Sequence, residues 1–394
     1  MTFCEKTHEG LIFKGSSYLR QRLLLATLSG KKIQIKDIRS DDNEPGLREY
    51  EVNLIRLFDK VTNGTNVELN ETGTALKYQP GLLHGGTFTH DCCVQRGIGY
   101  YLEVLLALGP FCKNPLNVTL KGVTNSSDTP SVDYIKDTYL PTLLKFILVD
   151  DGLTLKINKR GLMPKGGGEV LFKCPIKNKL RPVQQLDSGM VKRIRGTVYA
   201  ARVSPAIANR IVEHAKSVLL KFLPDVYINT DHCKGPQAGA SPGFGICLVA
   251  ETSNNIFYAA ECVSKPSIPG EEPTVPEDIG KEVAHRLIDE IYRGGCVDSS
   301  AQSLATLWMA LGPKDISKFL TGPMSQYTIG FLRHLREFFG ITFKISNPQE
   351  LDDDEDASYG SQKVLLTCVG IGYTNINKRI IVISSYSIEV KDVH

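Results

Sequence analysis

Apolar and polar positions along this chain follow two periods, and the same succession of periods occurs three times. In the first, the run LRQRLLLATLSG from Leu19 predicts a helix that stops at Gly30, a residue suited to a helix C-terminus. KKIQIKDI follows with the two-residue alternation of a half-buried strand. Pro45 then opens a second helix, where Leu54, Leu57, Phe58 and Val61 fall at i, i+3, i+4 and i+7 and share one face. NVELN and ALKYQ read as two strands joined by a turn at Thr72 and Gly73.

The second succession starts near Gly99, with the helix IGYYLEVLLALGPF and the strand LNVTLKGV. Its next helix aligns Leu140, Leu143, Leu144 and Ile147, and LTLKIN and EVLFKC close it. The third starts near Ala301 with AQSLATLWMALGP. Its second helix, SQYTIGFLRHLREFFG, is expected to bury Ile329, Leu332, Leu335 and Phe339, and ITFKIS and KVLLTCVG close it. The acidic run from Glu350 to Asp356 between those strands reads as a solvated loop. Each unit covers one face of its sheet with helices and needs neighbours to bury the rest.

Between the second and third units the pattern changes. GTVYAARV, a helix from Pro205 to Leu223, DVYINTD, FGICLVAE and IFYAAECV form a compact insert. KPSIPGEEPTVPED behind it reads as a linker. The expected fold is α/β (α+β): three repeated two-helix/sheet modules form a large domain that carries a smaller inserted α/β domain. The expected boundaries are 1–182 for modules one and two, 183–276 for the insert, 277–381 for module three and 382–394 for a tail.

Charge narrows the function. The 46 Lys and Arg stand against 43 Asp and Glu, a net +3. That excludes a chain that holds nucleic acid through its overall charge and makes any basic surface local. One such stretch runs from Lys173 to Arg195, at the front border of the insert. The ten cysteines include no CxxC pair. Buried reduced thiols are therefore expected, with no metal and no cofactor. The start, MTFCEKTHEGLIFKG, has no apolar signal core, and no stretch approaches the ~18 apolar residues of a membrane span.

Three local clusters can carry chemistry. Arg160-Gly-Leu-Met-Pro-Lys-Gly-Gly-Gly-Glu-Val170 joins two strands. Gly166, Gly167 and Gly168 can bring backbone N–H groups close to an anion, with Arg160 and Lys165 adding charge; the bland alternative is a wide turn. Arg20, Arg22 and Arg39, with Lys14, can sit at one sheet edge and bind phosphate or RNA backbone, or be exposed salt-bridging groups. Arg333, His334 and Arg336 on the last helix read as solvated surface charge, or as an RNA-binding or proton-moving group. His84, before Gly85-Gly86, can be catalytic or merely a turn residue, and Asp231-His232-Cys233 is a weaker candidate because no positioned third member accompanies it.

Arg160-Gly-x-x-Pro-x-Gly-Gly-Gly-x-Val170 resembles the signature of the RNA 3′-terminal phosphate cyclase family. The likeness extends to about Gly372 and takes in Leu19-Arg20, Ile38-Arg39, Pro45-Gly46-Leu47, Val297-Asp298 and the MALG run at Met309. It implies modules like the C-terminal domain of a bacterial translation initiation factor. It also implies chemistry in which ATP adenylylates a histidine and the adenylate passes to an RNA 3′-phosphate that the 2′-hydroxyl then closes. That histidine's position falls at Tyr327 here, and a phenol is a poor substitute for imidazole in nucleotidyl transfer.

Other family positions fall at Phe13 for an acid, Asp42 for an arginine, about Glu51 for a histidine, and Ser303-Leu304 for an Asp-Gln pair. This pattern is similar to the eukaryotic cyclase-like branch. The resemblance implies a nucleolar, nuclear factor without cyclase activity, acting within the small-subunit processome. It further implies binding of pre-rRNA and a ribosome-assembly GTPase and a need for the early cleavages toward 18S rRNA. The alternatives are a pre-rRNA endonuclease using Arg333, His334 and Arg336, and an active ATP-dependent cyclase with a relocated nucleophile.

Overall fold

The computed structural model describes residues 5–7, 10–147, 152–266, 272–347 and 362–375. The acidic run at 350–356, part of the linker at 267–271 and the tail after 375 lie outside the described residues.

The first module contains β1 (Glu5–Thr7), β2 (Gly10–Lys14), α1 (Leu19–Ser29), β3 (Ile33–Lys36), α2 (Glu49–Val61), β4 (Thr62–Asn63), β5 (Asn66–Leu69) and β6 (Leu76–Gln79). After β7 (Leu82–Leu83), the second contains β8 (Gly85–Asp91), α3 (Gly99–Leu108), β9 (Asn114–Gly122), α4 (Val132–Tyr134), α5 (Leu140–Phe146), β10 (Thr154–Lys159) and β11 (Gly168–Cys174). A π turn over Ile135–Tyr139 joins α4 to α5. β12 (Gln184–Gln185) precedes the insert of β13 (Val191–Ala201), α6 (Pro205–Leu219), β14 (Val226–Cys233), β15 (Gly243–Thr252), β16 (Phe257–Val263) and α7 (Pro276–Arg293). The third module follows with α8 (Gln302–Leu311), β17 (Ile316–Thr321), α9 (Gln326–Phe339), β18 (Lys344–Ser346) and β19 (Val364–Val369).

The chain is mixed α/β, as the patterning implies, and each module holds more strands than its periodicity announced. The sheet orders are β1-β2-β3-β6-β5, β10-β11-β9-β8 and β12-β17-β19-β18. Each contains one parallel pair, β2/β3, β8/β9 and β12/β17, which requires a crossover through a helix. In the third module that crossover is interrupted, because the insert lies between β12 and α8. The insert repeats the device in miniature, with order β14-β13-β15-β16 and β13/β14 parallel.

Helix α7 packs on α6 and on β15 and β16, so it lies with the insert rather than with the third module. We propose a boundary after Arg293 in place of 276.

Two helices differ from their sequence reading. The second helix starts at Glu49, because the chain from Pro45 first turns at Gly46 (φ +89) and the Glu51 carboxylate then caps the backbone N–H of Arg48 at 2.8 Å. Helix α9 buries Thr328, Phe331, His334, Leu335 and Phe338, whereas Ile329, Leu332 and Phe339 are only half-buried. Its face is rotated because Phe338 stacks on Phe13 and Gly330 seats the Tyr18 ring. Helices α1, α3 and α8 meet at the centre and are buried nearly all round, which explains their continuous apolar sequences.

Candidate functional site

Tyr327 sits where the three modules converge. It follows Ser325, whose hydroxyl caps α9 by accepting the Thr328 N–H. Its phenol oxygen accepts a hydrogen bond from Arg20 Nη2 at 2.9 Å and donates to Glu103 Oε1 at 3.0 Å. Arg20 comes from α1 and Glu103 from α3, and they pair directly at 2.5 Å. The guanidinium also donates to the Tyr100 carbonyl at 3.2 Å and lies over the Tyr100 ring at 4.6 Å. Burial works against charge on Arg20, but Glu103 and the two phenols overcome it and hold the guanidinium protonated. Burial raises the proton affinity of Tyr327 above its ordinary value, despite the opposing field of Arg20. The phenol is thus neutral and doubly engaged. Beside it lies a cleft of about 520 Å³, lined by Arg293, Ser299, Ser300, Met324, Ser325 and Tyr327.

The other arginines are engaged in the same way. Arg22 is fully buried, donates to the Gly15 carbonyl at 2.8 Å and lies over Phe13 at 4.8 Å. Arg39 makes a bidentate pair with Glu51 at 2.7 and 2.8 Å and donates to the Gly46 carbonyl. Arg20, Arg22 and Arg39 therefore meet acceptors of the protein itself rather than an open anion site.

Arg160 shows the pattern most fully. All five guanidinium N–H groups are used: Nε and Nη2 on Asp231, Nη1 and Nη2 on Asp133, and Nη1 on Asn125. The pairs measure 2.6 Å to Asp133 and 2.9 Å to Asp231, and the guanidinium covers the Tyr199 ring. Asp133 belongs to the second module, Asp231 and Tyr199 to the insert.

The glycine loop serves the same seam. The Gly166 carbonyl accepts the Ala240 N–H, the Arg160 carbonyl accepts the Gly239 N–H, and the Lys165 N–H donates to Ser241 Oγ. A side chain at Gly239 would meet the Gly166 carbonyl oxygen at 2.4 Å, and Gly166 and Gly167 have φ of +62° and +80°. Gly168 opens β11 opposite Gly122 of β9. Lys165 and Gly167 remain exposed.

Arg333, His334 and Arg336 are not one surface group. The two arginines are exposed, and His334 is 3% exposed between Phe13, Tyr18 and Gln21. Gln21 Nε2 donates to the Tyr327 carbonyl, so Gln21 Oε1 accepts the Nδ1–H of His334 at 2.9 Å. Burial, and then Arg22, lower the imidazole pKa to about 3. In the insert, Asp231 is held by Arg160, His232 bonds the Val203 carbonyl, and burial raises the Cys233 thiol to about 11. His84 bonds Asn114.

The residues that the sequence reading missed are two acids, Glu103 and Asp133. Glu103 was visible as the single charge in the apolar helix IGYYLEVLLALGPF; Asp133 gave no local signal. Among the described residues no cluster of metal-ligating side chains occurs, no helix is long and apolar enough to cross a membrane, and the cysteines are free.

A family model described as RNA 3′-terminal phosphate cyclase matches residues 11–345, and the chain belongs to that family. Two of the similar proteins carry the cyclase-like name. One is a probable RNA 3′-terminal phosphate cyclase-like protein of Drosophila melanogaster, 63% identical over 374 residues, covering 94% of this chain and 97% of the relative. A second is the Homo sapiens RNA 3′-terminal phosphate cyclase-like protein, 55% identical over 368 residues, covering 93% and 97%. A third is the Schizosaccharomyces pombe rRNA processing protein rcl1, 43% identical over 371 residues, covering 93% and 98%.

Proposed function

We propose that this chain is an rRNA-processing factor that keeps the cyclase fold and has given up cyclase chemistry. The observation that carries the reading is the centre at Tyr327. A nucleotidyl acceptor needs a free lone pair on a good leaving group. Here the position holds a neutral phenol bonded to Arg20 and Glu103, with Arg39 paired to Glu51 in place of a phosphate clamp.

In finer terms, the chain acts in the nucleolus within the small-subunit processome. It binds pre-rRNA and a ribosome-assembly GTPase, and it is required for the early cleavages toward 18S rRNA. The rRNA-processing relative supports the coarse role. Depleting the protein from cells and probing pre-rRNA tests it. Loss of 18S rRNA with accumulation of its uncleaved precursor is the expected result; unchanged precursors would overturn the reading. The endonuclease alternative gains no support from the geometry, since a buried imidazole of low proton affinity cannot act as an acid near neutral pH.

A further inference from the structure

We propose that the open face of the first sheet is a contact surface for the phosphate backbone of single-stranded RNA, with Lys14, Lys32 and Lys36 as its cations. The inference rests on the rRNA-processing reading and supplies the RNA contact that reading requires.

Strand alternation builds the face. Leu11, Phe13, Ile33, Ile35, Leu76 and Tyr78 point into the core and are buried. The intervening Ile12, Lys14, Lys32, Gln34, Lys36 and Lys77 point outward, and all four lysines are exposed. The parallel register of β2 and β3 sets Lys14 directly opposite Lys36. Like charges placed so disfavour the sheet unless an anion lies between them. Among the described residues, none of Lys14, Lys32 and Lys36 forms an ion pair; Lys77 pairs with Glu68 at 3.2 Å. A depression of about 850 Å³ runs over this face, with Ile12 and Gln34 in its lining. At one end Gly10 (φ +142) lets β2 approach the Lys32 backbone closely, where a side chain would meet the Lys32 carbonyl oxygen at 2.5 Å.

Several of the other candidate cations are already occupied. Arg20, Arg39 and Arg160 are held by Glu103, Glu51, Asp133 and Asp231. In the basic stretch before and into the insert, Lys192 and Arg193 share Glu251, and Arg195 holds Asp225. Among the described residues, Lys14, Lys32 and Lys36 instead form no ion pair, whereas Lys77 is held by Glu68. They also lie in a row: Lys32 immediately precedes β3 and Lys36 ends it, roughly 13 Å apart at about 3.3 Å per residue of extended chain. Among the described residues the face carries no outward aromatic ring, so the contact proposed is to phosphate rather than by base stacking, without sequence preference. The rRNA-processing reading favours RNA over an acidic protein segment as the occupant.

The test measures binding of full-length protein to a labelled oligouridylate over a range of KCl concentrations. For single strands, log K falls by about 0.7 per phosphate contact for each tenfold rise in salt, so Lys14→Gln/Lys32→Gln/Lys36→Gln should lower the slope by about 2. The variant should melt no lower than the wild type; if it does, Lys36→Gln alone should lower the slope by about 0.7. A slope unchanged in the variants, with the wild type binding steeply, overturns this face and leaves the RNA reading standing. Wild-type binding that is absent or flat in salt overturns both. Polyglutamate bound through these lysines with no RNA bound there assigns the face to an acidic protein partner and overturns the proposal.

Discussion

Tyr327 is held as an internal joint between the three modules. Its hydroxyl lies between a buried cation and a buried anion that also touch one another, so the two kinds of substitution differ in cost. Tyr327→Phe removes one charge-assisted bond at each end but leaves Arg20 on Glu103, and should cost about 1–3 kcal/mol. Glu103→Ala strands the buried guanidinium and should cost about 3–5 kcal/mol. Chemical denaturation of both variants checks the order; equal losses would contradict it.

His334 gives a second residue-scale expectation. Burial keeps it neutral with a pKa of about 3, against an ordinary value of about 6.5 in the unfolded chain. Between those values the unfolded state binds more protons. Stability is therefore full above pH ~6.5 and falls as pH drops through that window. His90, lowered to about 4 chiefly by burial, acts in the same sense. His334→Gln should lose less stability than the wild type between neutral pH and pH ~4.5, as measured by denaturant midpoints. A parallel loss would exclude His334 as a contributor.

At the scale of elements, the glycine loop between β10 and β11 is a seam. Arg160 spans it with five donors, and burial of Asp133, which alone would raise its pKa, is outweighed by that guanidinium. Arg160→Ala leaves Asp133 without its counter-charge and should destabilise by about 3–5 kcal/mol. The amides of Gly239 and Ala240, which bond across the seam, should exchange faster before the large-domain core does. Exchange at those amides unchanged from wild type would show that Arg160 does not hold the insert.

The seam also marks where sequence reasoning stops. Consecutive glycines and flanking charge suit an anion nest and a close domain contact equally well, and the acids that decide between them lie on other elements. Helix α1, ending at Gly30, and the insert strands were legible because period and punctuation are local. β12 was not, since two residues carry no period and their pairing partner β17 lies beyond the whole insert. The rotation of α9 was hidden for a related reason: Thr328 and His334 are polar yet buried, each satisfied by a partner on another element.

Across the whole molecule, three modules of one plan bury their helices against each other and turn their sheets outward. The repeat was readable from periodicity, because each module writes its own amphipathic elements. The joining of the modules was not, because Arg20 and Tyr327 are 307 residues apart and Tyr327 and Glu103 are 224. The balanced charge total has the same origin. Many of the arginines that look like RNA contacts are matched by acids inside the fold, and Lys14, Lys32 and Lys36 of the outer sheet face are the cations proposed for a partner.

The central claim is that the centre at Tyr327 no longer accepts a nucleotide. The most direct measurement incubates the full-length protein with magnesium and ATP labelled on the α-phosphate, then assays for label bound to protein. The expected result is no adduct, in the presence or absence of an RNA 3′-phosphate. A stable protein–AMP adduct, mapped to any histidine of the chain, would contradict the account.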